Sequence, residues 1–268
     1  MSDVGEHLLT VDLGNSRCKL RLWSTGGALA RSGDLDVPRG AAGEFAESCA
    51  AWLRAGPAAA AGAWCAVRSQ ELERMLVERL GALVAEGRLR APDPGLELDV
   101  DSPHTVGRDR LFAARGAFAH GGAGALVVDA GTALTVDALE VRGGRALFRG
   151  GAISAGPALL ARALAEHAAR LPHVEPRPGV AALGRDTRAA LEAGVAVGFR
   201  GAARELVESL SRECGLERAP VVLTGGARAF LLEPRPFVER TVAVVPDLVH
   251  LGLLAALASE RARAGARA

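Results

Sequence analysis

The reading of this chain turns on two short stretches, Val11-Asp12-Leu13-Gly14-Asn15-Ser16 and Val128-Asp129-Ala130-Gly131-Thr132-Ala133. In each, an apolar run ends in an aspartate, a glycine follows two residues later, and a small hydroxyl or amide residue comes next. Leu8 to Leu13 resumes as Cys18 to Trp23, and Ala125 to Asp129 resumes as Leu134 to Leu139. Apolar runs around such turns predict two pairs of strands with tight connections. The two aspartates stand 117 residues apart (129 minus 12) in a chain of 268. A repeat at that spacing predicts two related halves facing each other, 1–120 and 121–268.

Between and after these hairpins, strand and helix patterns alternate. Residues 41–55 have helical spacing, and Ala63 to Val67 reads as a short buried strand. An amphipathic helix is expected from Ser69, a plausible N-cap, to about Glu86, with Leu72, Leu76, Leu80 and Leu83 on one face. Pro92 to Gly95 is a turn and Leu96 to Val100 a strand. A helix over Arg108 to Ala119 precedes the second hairpin. After it come an extended stretch, Ala146 to Ile153, a helix from Pro157 to about Arg170 and a proline-rich break over 172–178. A long helix over 186–213 starts near Asp186 or Thr187. A buried strand, Pro220 to Leu223, then runs into Thr224-Gly225-Gly226. A last strand, Val242 to Val245, and a helix from Leu248 to about Arg261 finish the pattern, with a frayed tail after Glu260. This alternation predicts an α/β fold with mixed sheets.

Composition narrows the function classes. Apolar residues make up 49% of the chain, enough for a real core. A net charge of +1 gives no global field for nucleic acid or an anionic membrane. Cys18, Cys49, Cys65 and Cys214 are far apart and suit a reducing compartment rather than a disulfide framework or zinc site. Neither a leader peptide nor a membrane span is visible in the pattern, so a cytoplasmic location is expected. The histidines have no metal-ligand spacing. Arginine supplies nearly all the positive charge, and the single lysine is Lys19. Compositional bias explains that preference, yet the ammonium that remains lies beside a glycine turn, where a compact charge suits a phosphate oxygen.

A strand that leaves into Asp-x-Gly-Asn-Ser has three uses for a phosphate. Glycine admits the main chain close to the anion, successive N–H groups point at it, and Asn15 and Ser16 add donors. The aspartate can hold magnesium directly or through water. Turn chemistry alone favours the same residues, so one copy means little; two copies, each ending an apolar strand, point to phosphate. Thr224-Gly225-Gly226 reads either as a plain strand-to-helix turn or as a flat surface for adenine or ribose. Gly107-Arg108-Asp109-Arg110 likewise has two readings. In one, Asp109 serves only the helix N-terminus, with solvated arginines. Alternatively, Asp109 accepts the proton of an attacking hydroxyl while a neighbouring arginine fixes an acidic substrate.

Asp12-Leu13-Gly14-Asn15-Ser16-Arg17-Cys18-Lys19, Gly107-Arg108-Asp109-Arg110 and Asp129-Ala130-Gly131-Thr132-Ala133-Leu134-Thr135-Val136-Asp137 together resemble type III pantothenate kinases. The likeness continues in order through Gly150-Gly151-Ala152-Ile153, Gly184-Arg185-Asp186-Thr187 and Thr224-Gly225-Gly226. The resemblance implies duplicated actin-like, ribonuclease H-like domains of the acetate-and-sugar-kinase/actin superfamily. It implies ATP with Mg2+, a monovalent cation (K+ or NH4+), pantothenate as acceptor, and a homodimer with the substrate site near the subunit interface. Carried over by position, Asp12, Leu13, Gly14, Asn15, Ser16, Arg17, Cys18 and Lys19 form the first ATP phosphate loop. Thr132 touches ATP and Asp129 helps to hold the monovalent cation. Gly107, Arg108, Asp109 and Arg110 bind pantothenate, with Asp109 the proton acceptor, and Thr187 lines the same pocket. Three positions depart from the family pattern. Val100 stands where an aromatic residue is usual, Ser154-Ala155-Gly156-Pro157 replaces x-Pro-Gly, and His167 replaces a threonine.

Two other readings accompany the kinase of pantothenate. One is a non-catalytic regulatory relative that binds nucleotide or a protein partner; intact Asp12, Asp109 and Asp129 weigh against it, since binding alone has no need of Asp109. The other is a kinase for a different small hydroxylated substrate, which Val100 favours.

Overall fold

A computed structural model describes residues 7–38, 40–67, 69–85 and 88–265 of the chain. The first hairpin is β1 (His7–Leu13) and β2 (Arg17–Ser24), antiparallel, with Asp12 opposite Lys19. A third strand that the sequence pattern did not reveal, β3 (Leu29–Asp36), pairs antiparallel with β2. Its alternation is polar and half-exposed, as an edge strand allows. Helix α1 (Ala42–Arg54) leads to β4 (Ala59–Ala66), which lies parallel to β1 with Cys65 beside Asp12. Helix α2 (Gln70–Gly81) starts at Ser69, whose backbone is extended but whose hydroxyl makes no capping bond. The helix ends at Gly81, short of the expected end near Glu86, and Leu83 is not on it. Residues 82–85 turn away so that Val84 bridges Ala59 of β4. Glu86 itself and Met1 to Glu6 lie outside the described residues. A two-residue β5 (Leu89–Arg90) completes a sheet of order β3-β2-β1-β4-β5.

The expected strand over Leu96 to Val100 shrinks to β6 (Glu97–Leu98), parallel to the far edge of the second sheet. A 3-10 turn over Pro103–Thr105 precedes helix α3 (Arg108–Gly121). The second hairpin is β7 (Ala125–Ala130) and β8 (Ala133–Arg142), followed by antiparallel β9 (Arg145–Ala155). Helices α4 (Pro157–His167) and α5 (Thr187–Glu213) lead to β10 (Val221–Thr224), parallel to β7. A short α6 (Ala229–Leu232), β11 (Val242–Val244) and α7 (Leu248–Gly265) follow. Helix α7 continues past Arg261 through the stretch expected to fray, and 266–268 lie outside the described residues. The second sheet has the order β11-β10-β7-β8-β9-β6.

The duplication therefore extends beyond the hairpins. Strands β1 to β5 correspond in order and direction to β7, β8, β9, β10 and β11, with β6 added outside β9. The mixed sheets, helices and repeat give the actin-like α/β fold.

Two compact units result, one of residues 1–95, 104–119 and 249–268, the other of 96–103 and 120–248. In the first, alternation along β1 sends Leu9, Val11 and Leu13 into a core with Phe45, Leu53, Leu72, Leu76 and Leu80. Thr10 and Asp12 point the opposite way. On that side α3 and α7 approach until Gly252 touches the main chain at Phe112 and Gly116, a contact no side chain would permit. In the second unit, Leu126, Val128, Leu134 and Val136 pack against Phe199, Ala203 and Val207 of α5.

Candidate active site

In the first unit the loop after β1 is a turn closed by the Gly14 N–H, which donates to the Arg17 carbonyl at 2.9 Å. Asn15, Ser16 and Arg17 are exposed, and the Ser16 carbonyl accepts from the Val37 N–H at 2.9 Å. Leu13 and Cys18 flank the turn with side chains in the core, so only their main chain faces the loop. Arg17 pairs with Asp36 on the surface at 3.4 Å.

Asp12 is buried at the strand end, 7% exposed, and meets only weak or partial compensation. Lys19 Nζ stands 3.7 Å from its Oδ2, and the Cys65 thiol donates to Oδ1 at 3.8 Å. Burial raises its carboxyl above the ordinary range; Lys19 pulls it down, and the nearby Asp109 carboxylate pushes it up again. Burial also raises Asp109, opposed by the Arg110 N–H, which donates to Oδ1 at 2.9 Å, by the Arg110 charge and by Lys19. Two carboxylates from motifs almost a hundred residues apart thus share one ammonium. Burial, with Asp12 and Asp109 adding to it, pushes the Cys65 thiol well up, which keeps it a neutral donor.

The glycine of Gly107-Arg108-Asp109-Arg110 has a steric cause. A Cβ on Gly107 would lie 2.5 Å from Asp109 Oδ1, so the carboxylate folds back over this residue and a side chain here would displace it. Arg108 is held rather than solvated. Its Nη2 donates to the Pro92 carbonyl at 2.6 Å, and its guanidinium lies 5.3 Å from the Phe112 ring centroid.

Behind Asp12 lies a buried polar group that sequence patterns did not single out. Trp23 Nε1 donates to Thr10 Oγ1 at 2.8 Å, and Thr10 Oγ1 is 2.8 Å from His250 Nδ1 on α7. Arg21, opposite Thr10, donates to the Leu20 and Gly33 carbonyls and to Asp34 Oδ1. Only the alternation of polar residues along β1 and β2, Thr10-Asp12 and Lys19-Arg21, signals this face.

In the second unit the Gly131 N–H donates to the Ala133 carbonyl at 2.9 Å, closing a tighter turn that leaves Thr132 exposed. Thr224-Gly225-Gly226 lies directly against this loop. Gly225 has φ +95°, and a Cβ there would stand 2.5 Å from Asp129 Oδ1 and closer to the Ala130 main chain. The Ala227 N–H donates to the Ala130 carbonyl at 2.7 Å. Gly156 approaches the carbonyls of Gly131 and Thr132 so closely that no side chain fits. Gly151, opposite the buried Asp137, is confined in the same way.

Asp186 caps α5, accepting from the Ala189 N–H at 2.8 Å, and Thr187 is the exposed first helical residue. Val100 packs over Gly150, whose φ of +87° would bring a Cβ within 3.4 Å of Val100 Cγ1. Among the described residues no group of three or more His, Cys, Asp and Glu side chains converges as a metal cage, and no helix is long and apolar enough to cross a membrane.

The family model for type III pantothenate kinase matches residues 8–209, which includes both hairpins, the Gly107 motif and Thr187. The chain belongs to the type III pantothenate kinase family. A type III pantothenate kinase of Thermus thermophilus is 37% identical over 187 residues, 69% of this chain and 70% of that one. One from Halorhodospira halophila is 36% identical over 252 residues, 90% and 96% of the two chains. Among solved structures, a candidate 2-dehydro-3-deoxygalactonokinase from Sinorhizobium meliloti superposes with TM-score 0.57 at 18% identity, over 96% of each chain. An activator of 2-hydroxyisocaproyl-CoA dehydratase from Clostridium difficile, with ADPNP bound, gives 0.53 at 14% identity, over 97% of each. At such identities the likeness is one of fold, and it is the fold that the type III family resemblance implied.

Proposed function

We infer that this chain transfers the γ-phosphoryl group of ATP to the hydroxyl of pantothenate, forming 4'-phosphopantothenate, the first step of coenzyme A biosynthesis. Family membership gives the reaction; the observation that supports a working site is the meeting of Asp12, Lys19 and Asp109. Phosphoryl transfer needs positioning and charge stabilisation rather than covalent help from the protein. The loop from Asp12 to Lys19 supplies main-chain N–H groups and one ammonium for the phosphates, and Thr132 of the second loop contacts ATP.

Asp109 takes the hydroxyl proton as the oxygen attacks. Its raised carboxyl makes it a better base than a solvated aspartate, and the Arg110 N–H and Lys19 keep the ionised form accessible. Arg108 and Arg110 are suited to the pantothenate carboxylate, and the family motifs assign Thr187 and the Val100 position to pantothenate binding as well. Each half of the duplication, 1–120 and 121–268, supplies one phosphate loop.

The family's use of a divalent ion fits the residues present. Asp12, buried at the strand end with a single ammonium 3.7 Å from Oδ2, is the hard carboxylate donor that would hold Mg2+. Held there, Mg2+ would supply charge neutralisation for the phosphoryl group being transferred. Asp129, with main-chain oxygens nearby, offers the hard oxygen donors that K+ or NH4+ accepts. We further propose a cytoplasmic homodimer, in keeping with the family.

The test is ADP release by purified protein with Mg2+ and K+, across pantothenate and several sugars. Turnover with pantothenate that collapses in Asp109→Asn supports the reading, and absence of pantothenate turnover at every K+ concentration sinks it. The specific departure at Val100 favours a different hydroxylated substrate as second reading. Val100→Tyr is expected to lower the KM for pantothenate, and an unchanged KM removes this position from the pocket.

A further inference from the structure

Residues 225–236 form a strap that starts against the second phosphate loop and runs on past Leu231, which is anchored in the core beside Phe199; its polar fixation differs at the two ends. At one end Gly225 lies against Asp129 and Ala130, the Ala227 N–H donates to the Ala130 carbonyl at 2.7 Å, and Arg228 Nη1 donates to the Gly225 carbonyl at 2.9 Å. At the other end stands α6, a single turn whose last carbonyls have no helical partners. One side chain of α5 answers them. Arg200 Nη1 donates to the carbonyls of Phe230, Leu231 and Glu233 at 3.4, 3.0 and 3.2 Å. Its Nη2 donates to those of Arg235 and Pro236 at 2.5 and 2.9 Å.

A planar guanidinium has five N–H donors in a fixed fork, so it can satisfy several main-chain oxygens at once. An ammonium offers three donors and no plane. Five carbonyls gathered on one fork, from a segment with so little regular structure, is more than packing requires. Sequence patterns gave Arg200 no role: it is one arginine among many, and nothing in its own helix distinguishes it.

We propose that Arg200 is a positioning residue for nucleotide, clamping the 225–236 strap so that Gly225 and Gly226 stay seated against the second phosphate loop. The inference rests on the reading of Thr224-Gly225-Gly226 as a nucleotide surface. Without the clamp the strap samples other conformers, and apparent ATP affinity falls by the fraction of time it is seated. Pantothenate recognition and the chemical step draw on other residues, so they should be spared.

The experiment compares Arg200→Lys and Arg200→Ala with the parent chain by steady-state kinetics, direct ATP titration and amide hydrogen exchange. The expected result is a KM and Kd for ATP raised roughly tenfold in Arg200→Lys and more in Arg200→Ala, by loss of the seated population. The kcat at saturating ATP and the KM for pantothenate stay within about twofold, and exchange of the Ala227 amide quickens while β7 and β8 stay protected. Should Arg200→Ala fail to fold, Arg200→Lys decides the matter. Unchanged ATP affinity in Arg200→Lys, or a loss of thermal stability with all kinetic constants intact, overturns the clamp and leaves the kinase reading standing. Binding of ATP by the parent chain without turnover of pantothenate overturns the acceptor assignment alone, and the titration and exchange arms still decide the clamp. If the parent chain binds no ATP, both fall.

Discussion

Lys19 Nζ lies 3.7 Å from Asp12 Oδ2, directly across the β1–β2 pair, and the same ammonium lowers the carboxyl of Asp109. One cation thus favours the ionised forms of both acids against the burial that raises them. Lys19→Met is expected to reduce kcat/KM for ATP by roughly 10²- to 10³-fold, the usual scale for loss of a preorganised charge at phosphoryl transfer. The acid limb of the pH–rate profile should also move to higher pH, because both carboxyls lose a neighbour that favours ionisation. A limb that stays in place would show that Asp109 does not feel Lys19.

Gly107→Ala puts a methyl 2.5 Å from Asp109 Oδ1. Since Gly107 has no left-handed backbone to preserve, the change strains the carboxylate's position rather than the fold. We expect kcat to fall about 10²-fold, as for a base misplaced by about an ångström, with little change in Tm. Equal loss of Tm and activity would argue that Gly107 serves the fold.

The neighbouring glycines of the strap should respond oppositely. Gly225→Ala meets Asp129 and the Ala130 main chain at φ +95°, whereas a methyl on Gly226 meets nothing within 4 Å. Gly225→Ala is expected to destabilise the chain by about 2 kcal/mol or more, through strain and displacement together. Gly226→Ala should be near neutral in denaturant unfolding. Comparable losses in both would place the constraint elsewhere.

His250 sets a pH dependence for folding. Burial holds its imidazole well below the ordinary 6.5, so the folded chain refuses a proton that the unfolded chain accepts. The stability this contributes is complete above about pH 6.5 and is lost as pH falls from there toward the folded-state value. Thermal midpoints should therefore drop between about pH 7 and 5, and His250→Asn, which keeps a partner for Thr10, should flatten the drop. A profile unaltered by that substitution would assign the dependence to other groups.

Much of this was legible in the residues. The two Asp-x-Gly hairpins announced themselves because an apolar strand ending in turn chemistry is a local signal, and their order gave the duplication. Strand β3 was not legible, since an exposed edge strand carries no apolar run. The strand expected over Leu96 to Val100 is only two residues because β6 pairs with a single neighbour, β9. Ser69 sits at its cap position without the capping bond, and cap chemistry in sequence cannot show where a hydroxyl turns. Gly107 and Gly225 could be seen as glycines, but not their reasons: one lies under the carboxylate two residues on, which depends on how that side chain turns, and the other lies against a strand nearly a hundred residues away in the chain.

For the Lys19–Asp12 pair, the sequence by itself determined that both would lie at one hairpin, because strand register follows from the turn between them. It also determined the family, through motifs in their order. That Asp109 joins this pair, that Cys65 donates to Asp12, and that His250 and Trp23 meet on Thr10 were decided only by tertiary structure. Those contacts depend on which face of β1 turns toward α3 and α7, and no local pattern encodes a partner that distant. Arg200 belongs with them, an ordinary helical arginine until folding gathers five carbonyls around it.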